Sequence, residues 1–332
     1  MKTLSNLARR SFVLQTVACA AMGSALPFAG LAHAETFPSR PIKFIAPFPP
    51  GSGTDINARM FAKKVGELAG QAVSVENKPG GNGFIGVAAT LSAPADGYTV
   101  FIGSNSTFST NAATFKKLPY DPIADFTPIT VIAKGPCLVL VPKDSPYQTL
   151  GDLIADARKR PMELNYGSGS VSYTLFAEWL NQLAKTKTTI VNFKGAGEAI
   201  NAVLTSTVDY AIVDASGAIE LVKGNRVRAL AYTGTERARL LPSVPTSAEA
   251  GMPDFLPYNW VGAAVASKTP PNVVKRLTEL FAQAGKSKEV QDYYANQGTE
   301  LLMSTPEEFR KFQLREIERW KGMAKDIDLQ LM

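Results

Sequence analysis

Residues 37–59, FPSRPIKFIAPFPPGSGTDINAR, carry the feature that decides the fold class. A short apolar strand at 42–46 runs into a Pro/Gly turn, and an amphipathic helix follows directly behind Thr54 and Asp55. This is the first half of a β-turn-α unit, in which the period changes from two to 3.6 across a tight connection. Gly51, Ser52 and Gly53 leave backbone N–H groups unshielded at the helix start, where orphan donors and the helix dipole suit an anion such as a carboxylate. An ordinary βα turn capped by Thr or Asp is the alternative, and local chemistry alone leaves both open.

Outward from this unit the same alternation continues. Apolar runs at 72–75, 98–102, 138–141, 190–192, 210–213 and 228–232 read as strands, with helical periods at 56–68, 84–91, 150–158, 174–183 and 198–205 between them. Such a pattern predicts parallel α/β sheets with a ligand outside the carboxyl ends of the strands. From Pro270 onward the pattern is almost wholly helical, and Ser304-Thr305-Pro306-Glu307-Glu308 opens a helix with a cap, an early Pro and early acids.

The first residues predict export. Lys2, Arg9 and Arg10 precede an apolar run, and Ala32-His33-Ala34 supplies an A-x-A cleavage site before Glu35, so residues 1–34 read as a signal peptide. Arg9-Arg10-Ser11-Phe12 is similar to a twin-arginine signal, but Ala8 and Leu14 depart from it, and the Sec route stays open. A periplasmic protein is expected. Removing 1–34 takes three of the 35 basic residues and none of the 29 acidic ones, so the net charge falls from +6 to +3. That is too mild for a nucleic-acid partner. Cys19 and His33, the only histidine, leave as well. Without histidine, Ser-His and Cys-His catalysis and His/Cys zinc sites are excluded, and lone Cys137 forms no internal disulfide. Neither a cofactor nor a metal is expected, and the chain is not expected to be an enzyme.

A small hydroxyl- and Gly-rich turn recurs between strand and helix: Gly51-Ser52-Gly53-Thr54, Gly103-Ser104-Asn105-Ser106-Thr107, and Gly167-Ser168-Gly169-Ser170-Val171-Ser172. Less polar versions are Phe193-Lys194-Gly195-Ala196-Gly197 and Asp214-Ala215-Ser216-Gly217. Each alone is explained by turn and cap chemistry. Together, at strand ends, they would line a cleft with N–H and O–H donors and little fixed charge. Gly81-Asn82-Gly83-Phe84-Ile85-Gly86 fits G-x-G-x-x-G but follows the second strand, with no acidic residue ending the next one. Gly167-Ser168-Gly169-Ser170 is not a G-x-S-x-G elbow.

Beyond these local patterns, ordered segments match a known family over essentially the whole exported length. They are 41–59 (PIKFIAPFPPGSGTDINAR), 75–86 (VENKPGGNGFIG), 93–104 (APADGYTVFIGS), 116–129 (KKLPYDPIADFTPI), 163–168 (ELNYGS), 193–200 (FKGAGEAI), 227–255, Trp260-Val261-Gly262 and STPEEF at 304–309. The chain resembles the Bug/TctC-type periplasmic solute receptors of tripartite tricarboxylate transporters. The resemblance implies a type II periplasmic-binding-protein fold, two α/β lobes with a ligand cleft between them. It divides the chain into 35–136 (domain 1, first part), 137–258 (domain 2) and 259–332 (domain 1, second part). It puts Phe48, Gly51, Ser52, Gly53, Thr54 and Asp55 at one wall, with Ser104, Asn105, Ser106 and Thr107 from the same lobe. The opposing wall would hold Ser168, Gly169, Ser170, Ser172, Phe193, Lys194, Gly195 and Asp214.

The family's usual histidine after the Ser/Gly loop is missing, its place reading Val171-Ser172-Tyr173-Thr174, and the usual Asp-Asn-Leu-Pro is Asp214-Ala215-Ser216-Gly217. The resemblance implies a monomer that captures a small organic carboxylate and hands it to integral-membrane transporter subunits by hinge closure. Its overall likeness is to receptors for aromatic dicarboxylates such as terephthalate. Aliphatic di- or tricarboxylates, acidic amino acids and a sensory role beside a signalling protein are the alternatives. Asp214 discriminates among them: facing an ammonium it would favour an amino acid, whereas a diacid requires it turned away or bonded to other donors.

Overall fold

The computed structural model describes residues 37–326, so the expected signal peptide and cleavage site lie outside the described residues. Strand β1 (Ile42–Ala46) pairs in parallel with β2 (Val73–Asn77) and β3 (Thr99–Ser104). Helices α1 (Gly53–Ala69) and α2 (Phe84–Leu91) connect them. Helix α1 starts because the Ser52 side chain accepts the Asp55 N–H, and it stops at Gly70, whose φ of 65° suits glycine. Ala58, Phe61, Ala62 and Val65 recur at helical spacing and form its buried face, with Phe61 stacked on Phe281 at 5.5 Å between centroids. Burial of each large apolar side chain here stabilises by about 1.5–3 kcal/mol.

After β3, a one-turn π-helix (Ser106–Thr110) and α3 (Asn111–Thr114) lead to β4 (Phe126–Pro142). The chain continues through α4 (Leu150–Lys159), β5 (Asn165–Ser168), α5 (Val171–Ala184), β6 (Thr189–Asn192) and α6 (Ala196–Leu204). Then come β7 (Tyr210–Asp214), α7 (Ala215–Lys223) and β8 (Val227–Tyr232). The return comprises β9 (Tyr258–Ala266), α8 (Pro271–Gly285), α9 (Lys288–Asn296), β10 (Glu300–Leu301) and α10 (Pro306–Asp326).

β4 belongs to two sheets. From Phe126 to Pro136 it pairs antiparallel with β9, which also pairs with β3. From Cys137 onward it pairs with β7 and β8 instead, and β7 with β5, and β5 with β6, complete the second sheet. Pro136 stands at the change-over, where its missing N–H costs no ladder bond in the sheet that begins after it. The result is a two-lobed α/β fold. Helix α10 bridges the lobes as well. Its Phe309 packs edge-on against Phe108 and Trp260 of the first lobe, while Trp320 sits in the second lobe's core, 5.7 Å from Phe176. Among the described residues no helix is long and apolar enough to cross a membrane.

Two local expectations are corrected. The run at 138–141 is the end of a 17-residue strand; Pro128 and Pro136 conceal its first half, which takes Pro128 at a bulge and Pro136 at the change-over between sheets. Asp214-Ala215-Ser216-Gly217 is not a turn: α7 begins at Ala215 directly after β7, because Ala215, Ala218 and Ile219 are buried together.

Candidate functional site

Four helices of nine or more residues begin at one cavity: α1 at Gly53, α5 at Val171, α6 at Ala196 and α7 at Ala215. Each starts at the end of a β-strand or just after it, so the parallel topology points their N-termini at the crevice. The cavity measures about 60 Å³ and is lined from the first lobe by Phe48, Ser52, Gly53, Thr54, Asn57, Ser104, Asn105 and Ser106. From the second lobe come Gly169, Ser170, Tyr173, Ala196, Asp214 and Ser216, and β9 adds Asn259, Trp260 and Val261. Phe48, Gly169 and Ser170 also border an outer chamber of about 680 Å³ that holds Asn82, Glu178, Asn192, Phe193, Lys194 and Glu198.

The inner cavity is rich in donors and poor in charge. Only Asp55 N–H in the first turn of α1 is taken by the Ser52 cap, so Gly53 and Thr54 N–H have no partner among the described residues. Ser170, Gly195 and Asp214 make no side-chain cap to α5, α6 or α7. Buried Asn105 Nδ2 and Trp260 Nε1 also lack partners. An unpaired buried donor costs about 1–3 kcal/mol, which a ligand acceptor would relieve. No Lys or Arg lines this cavity, and Asp214 is its sole carboxylate.

Both oxygens of Asp214 are engaged. Tyr173 OH donates to Oδ2 at 2.8 Å, and Asn259 Nδ2 donates to Oδ1. Burial pushes its carboxyl above the ordinary Asp range, against the lowering effect of those two donors. Burial likewise holds the Tyr173 hydroxyl and the Cys137 thiol protonated, each reinforced by the neighbouring Asp214. Asp55 behaves oppositely. Burial raises its carboxyl, but hydrogen bonds from Arg59, Gly51 and Asn77 outweigh it and hold it below the usual value. Its oxygens accept from Gly51 N–H at 2.9 Å, Asn77 Nδ2 at 2.8 Å and Arg59 Nε at 3.0 Å.

The structure thus separates the expected residues by role. Phe48, Ser52, Gly53, Thr54, Ser104, Asn105, Ser106, Gly169, Ser170 and Asp214 line the inner cavity, and Phe193 and Lys194 line the outer chamber. Six do not line either. Asp55 and Gly51 brace the loop from behind. Thr107 bonds back to Ser104, and Ser168 Oγ to Ser170 O and Thr174. Ser172 and Gly195 join the lobes. Ser172 Oγ lies 2.9 Å from Ser106 Oγ and 2.8 Å from Thr110 Oγ1, and a methyl on Gly195 would meet Pro49 Cδ at 2.8 Å. Ser106 Oγ also donates to Ser170 Oγ at 3.1 Å. Asn259 and Asn57 were not anticipated, and Ser216 was anticipated only as part of its segment: Asn259 is a polar residue inside an apolar strand, and that break in pattern was its one visible signal. Among the described residues no cluster of His, Cys, Asp and Glu could hold a metal ion.

Residues 57–329 match the family described as the tripartite tricarboxylate transporter family receptor. Protein BugT of Bordetella pertussis is 31% identical over 320 residues, covering 94% of this chain and 98% of that protein. The structure of Rpa4515 from R. palustris with adipate superposes with a TM-score of 0.84 at 31% identity, over 88% of this chain and 98% of that one. MatC (Rpa3494) from Rhodopseudomonas palustris with bound malate gives 0.82 at 28% identity, over 87% and 100%. With this coverage from one end of the two-lobed fold to the other, the chain belongs to the tripartite tricarboxylate transporter receptors, the periplasmic solute-binding proteins of the Bug/TctC type.

Proposed function

We propose that this receptor captures a small dicarboxylate, seating one carboxylate among the helix N-termini of the inner cavity and extending the rest toward the outer chamber. The observation that carries this reading is a cavity ringed by four helix starts and unpaired N–H donors, without a cation. Such a ring favours an acceptor-only group. The solved relatives that hold adipate and malate support the ligand class. Phe48, which borders both compartments, offers a face to an aromatic diacid such as terephthalate, a contact worth about 0.5–1.5 kcal/mol. An acidic amino acid fits less well, because Tyr173 and Asn259 already donate to the two Asp214 oxygens and meet part of the acceptor capacity an ammonium would use.

Binding closes the lobes about β4 near Pro136 and the approach to β9. The Ser106, Ser170 and Ser172 hydroxyls then meet across the cleft, and the loaded closed form is what the membrane subunits of the transporter accept. Micromolar affinity, about −8 kcal/mol, suffices for capture and release. Calorimetry against terephthalate, phthalate, protocatechuate, adipate, malate, citrate and glutamate tests the reading. Heat of binding with a dicarboxylate is expected; none with any of the seven removes it.

A further inference from the structure

Asp214 is a buried carboxylate inside a cavity that the proposed function assigns to a second carboxylate. The two cannot avoid each other. Asp214 Oδ2 lies so close to Gly53 that a methyl built on that glycine would come within 2.6 Å of it, and Gly53 and Thr54 supply the unpaired N–H groups of the first wall. Gly53 and Asp214 line the same cavity of about 60 Å³, so a ligand carboxylate on those N–H groups lies beside Asp214.

No cation stands nearby to reconcile the pair. From β4, the residue paired with Asp214 is Cys137, a buried thiol; α5 presents the Tyr173 hydroxyl; β9 presents the Asn259 amide; α1 presents Gly53; and α7 itself adds Ser216. Lys134, on the same strand as Cys137, is committed to the face of Tyr258 at 4.2 Å. Asp55 is turned away onto Arg59 and Asn77. Two like charges side by side in one buried site share a proton instead of both ionising.

Resting on the dicarboxylate reading, we propose that the receptor takes up one proton with its ligand, held between Asp214 and the bound carboxylate, so that Asp214 acts as a hydrogen-bond donor to the ligand. The proton comes from solvent and returns to it on release; no other bond is made or broken. Tyr173 and Asn259 keep their bonds to the Asp214 oxygens in either state, which leaves the acid hydrogen on Oδ2 free to point across Gly53 at the ligand. Burial already moves the Asp214 carboxyl in the required direction before the ligand arrives.

Calorimetry of the full exported chain with adipate, repeated in buffers of different ionisation enthalpy, counts the protons directly. Uptake of up to about one proton per ligand is expected above the free-state pKa of Asp214, with affinity falling by up to about tenfold per pH unit as pH rises through that range. The sign follows from a proton bound more tightly in the complex than in the free protein: affinity is full below the free-state pKa of Asp214 and declines as pH rises above it. Asp214→Asn should bind with no proton uptake and a flat pH profile. Tyr173→Phe, which removes a donor to the ionised form, should shift the decline to higher pH; it serves if Asp214→Asn does not fold. If adipate binds with zero proton uptake and pH-independent affinity, the proton proposal fails while the carboxylate receptor stands. If glutamate alone binds, without proton uptake, Asp214 is an ammonium partner and both fall.

Discussion

Gly53→Ala tests whether the closed cleft observed here is the ligand-holding state. Gly53 opens α1 with an ordinary negative φ, so alanine there brings no backbone strain and slightly favours the helix. Its new methyl, however, would sit 2.6 Å from Asp214 Oδ2, about 0.8 Å inside the 3.4 Å of ordinary contact. Asp214 cannot swing aside cheaply, because it would give up its bonds from Tyr173 and Asn259, each worth about 1.5–3 kcal/mol to a charged acceptor. Overpacking of this kind costs about 1–3 kcal/mol, and the cost falls only on the state in which the lobes meet. Dissociation constants should therefore rise about five- to 150-fold, while the melting temperature of the ligand-free protein stays level or rises. Gly197→Ala is the internal control: it stands in the first turn of α6, yet a methyl there meets nothing within 4 Å, and its affinity should match wild type. Calorimetry with a dicarboxylate and a thermal melt decide the matter. A Gly53→Ala protein that binds as wild type does, or that loses stability in step with affinity, refutes the reasoning.

Three further outcomes follow from the same geometry. Ser172→Ala removes hydroxyl contacts with Ser106 and Thr110 and should weaken ligand binding by about 1–2 kcal/mol in calorimetry, with little change in unfolding midpoint. Asp55→Asn should flatten the acid limb of the stability curve followed by circular dichroism: the native carboxyl lies below 3.8, so its contribution is present above that pH and is lost as pH falls through the lowered value. Trp320→Ala opens the second lobe's core where α10 crosses onto Phe176, and denaturant titration should show a loss of about 3–5 kcal/mol.

What the sequence revealed was mostly what lies close along the chain. The 37–59 unit was legible because strand, turn and helix face all fall within two dozen residues, although the cap expected at Thr54 or Asp55 is Ser52 and α1 starts earlier, at Gly53. The Ser/Gly turns were legible as cleft walls for the same reason. Which hydroxyl faces the cavity was not: Ser170 lines it whereas Ser168 and Ser172 are spent on Thr174, Ser106 and Thr110, a choice fixed by helix phase and lobe contact. The partners of Asp214 were hidden more deeply, since Asn259 lies 45 residues away and meets it only because β4 carries β7 and β9 in adjoining sheets. The long β4 was concealed by its prolines, which a strand crossing between two sheets can accommodate at bulges and at the change-over.

The short reach of helix termini places ligand discrimination outside the inner cavity. The effect of a helix N-terminus falls off within its first turn, so the four that begin at this cavity act on a carboxylate seated there and not on the far end of the ligand. On the proposed function the other end of a diacid finds its partners in the outer chamber, which Lys194, Glu178, Glu198 and Phe193 help to line. Val171 and Thr174, in the segment that departs from the family's histidine-bearing pattern, also border that chamber. On the proposed function the inner cavity takes a carboxylate as such, and the length, flatness and distal charge of the ligand are read by the side chains of the outer chamber.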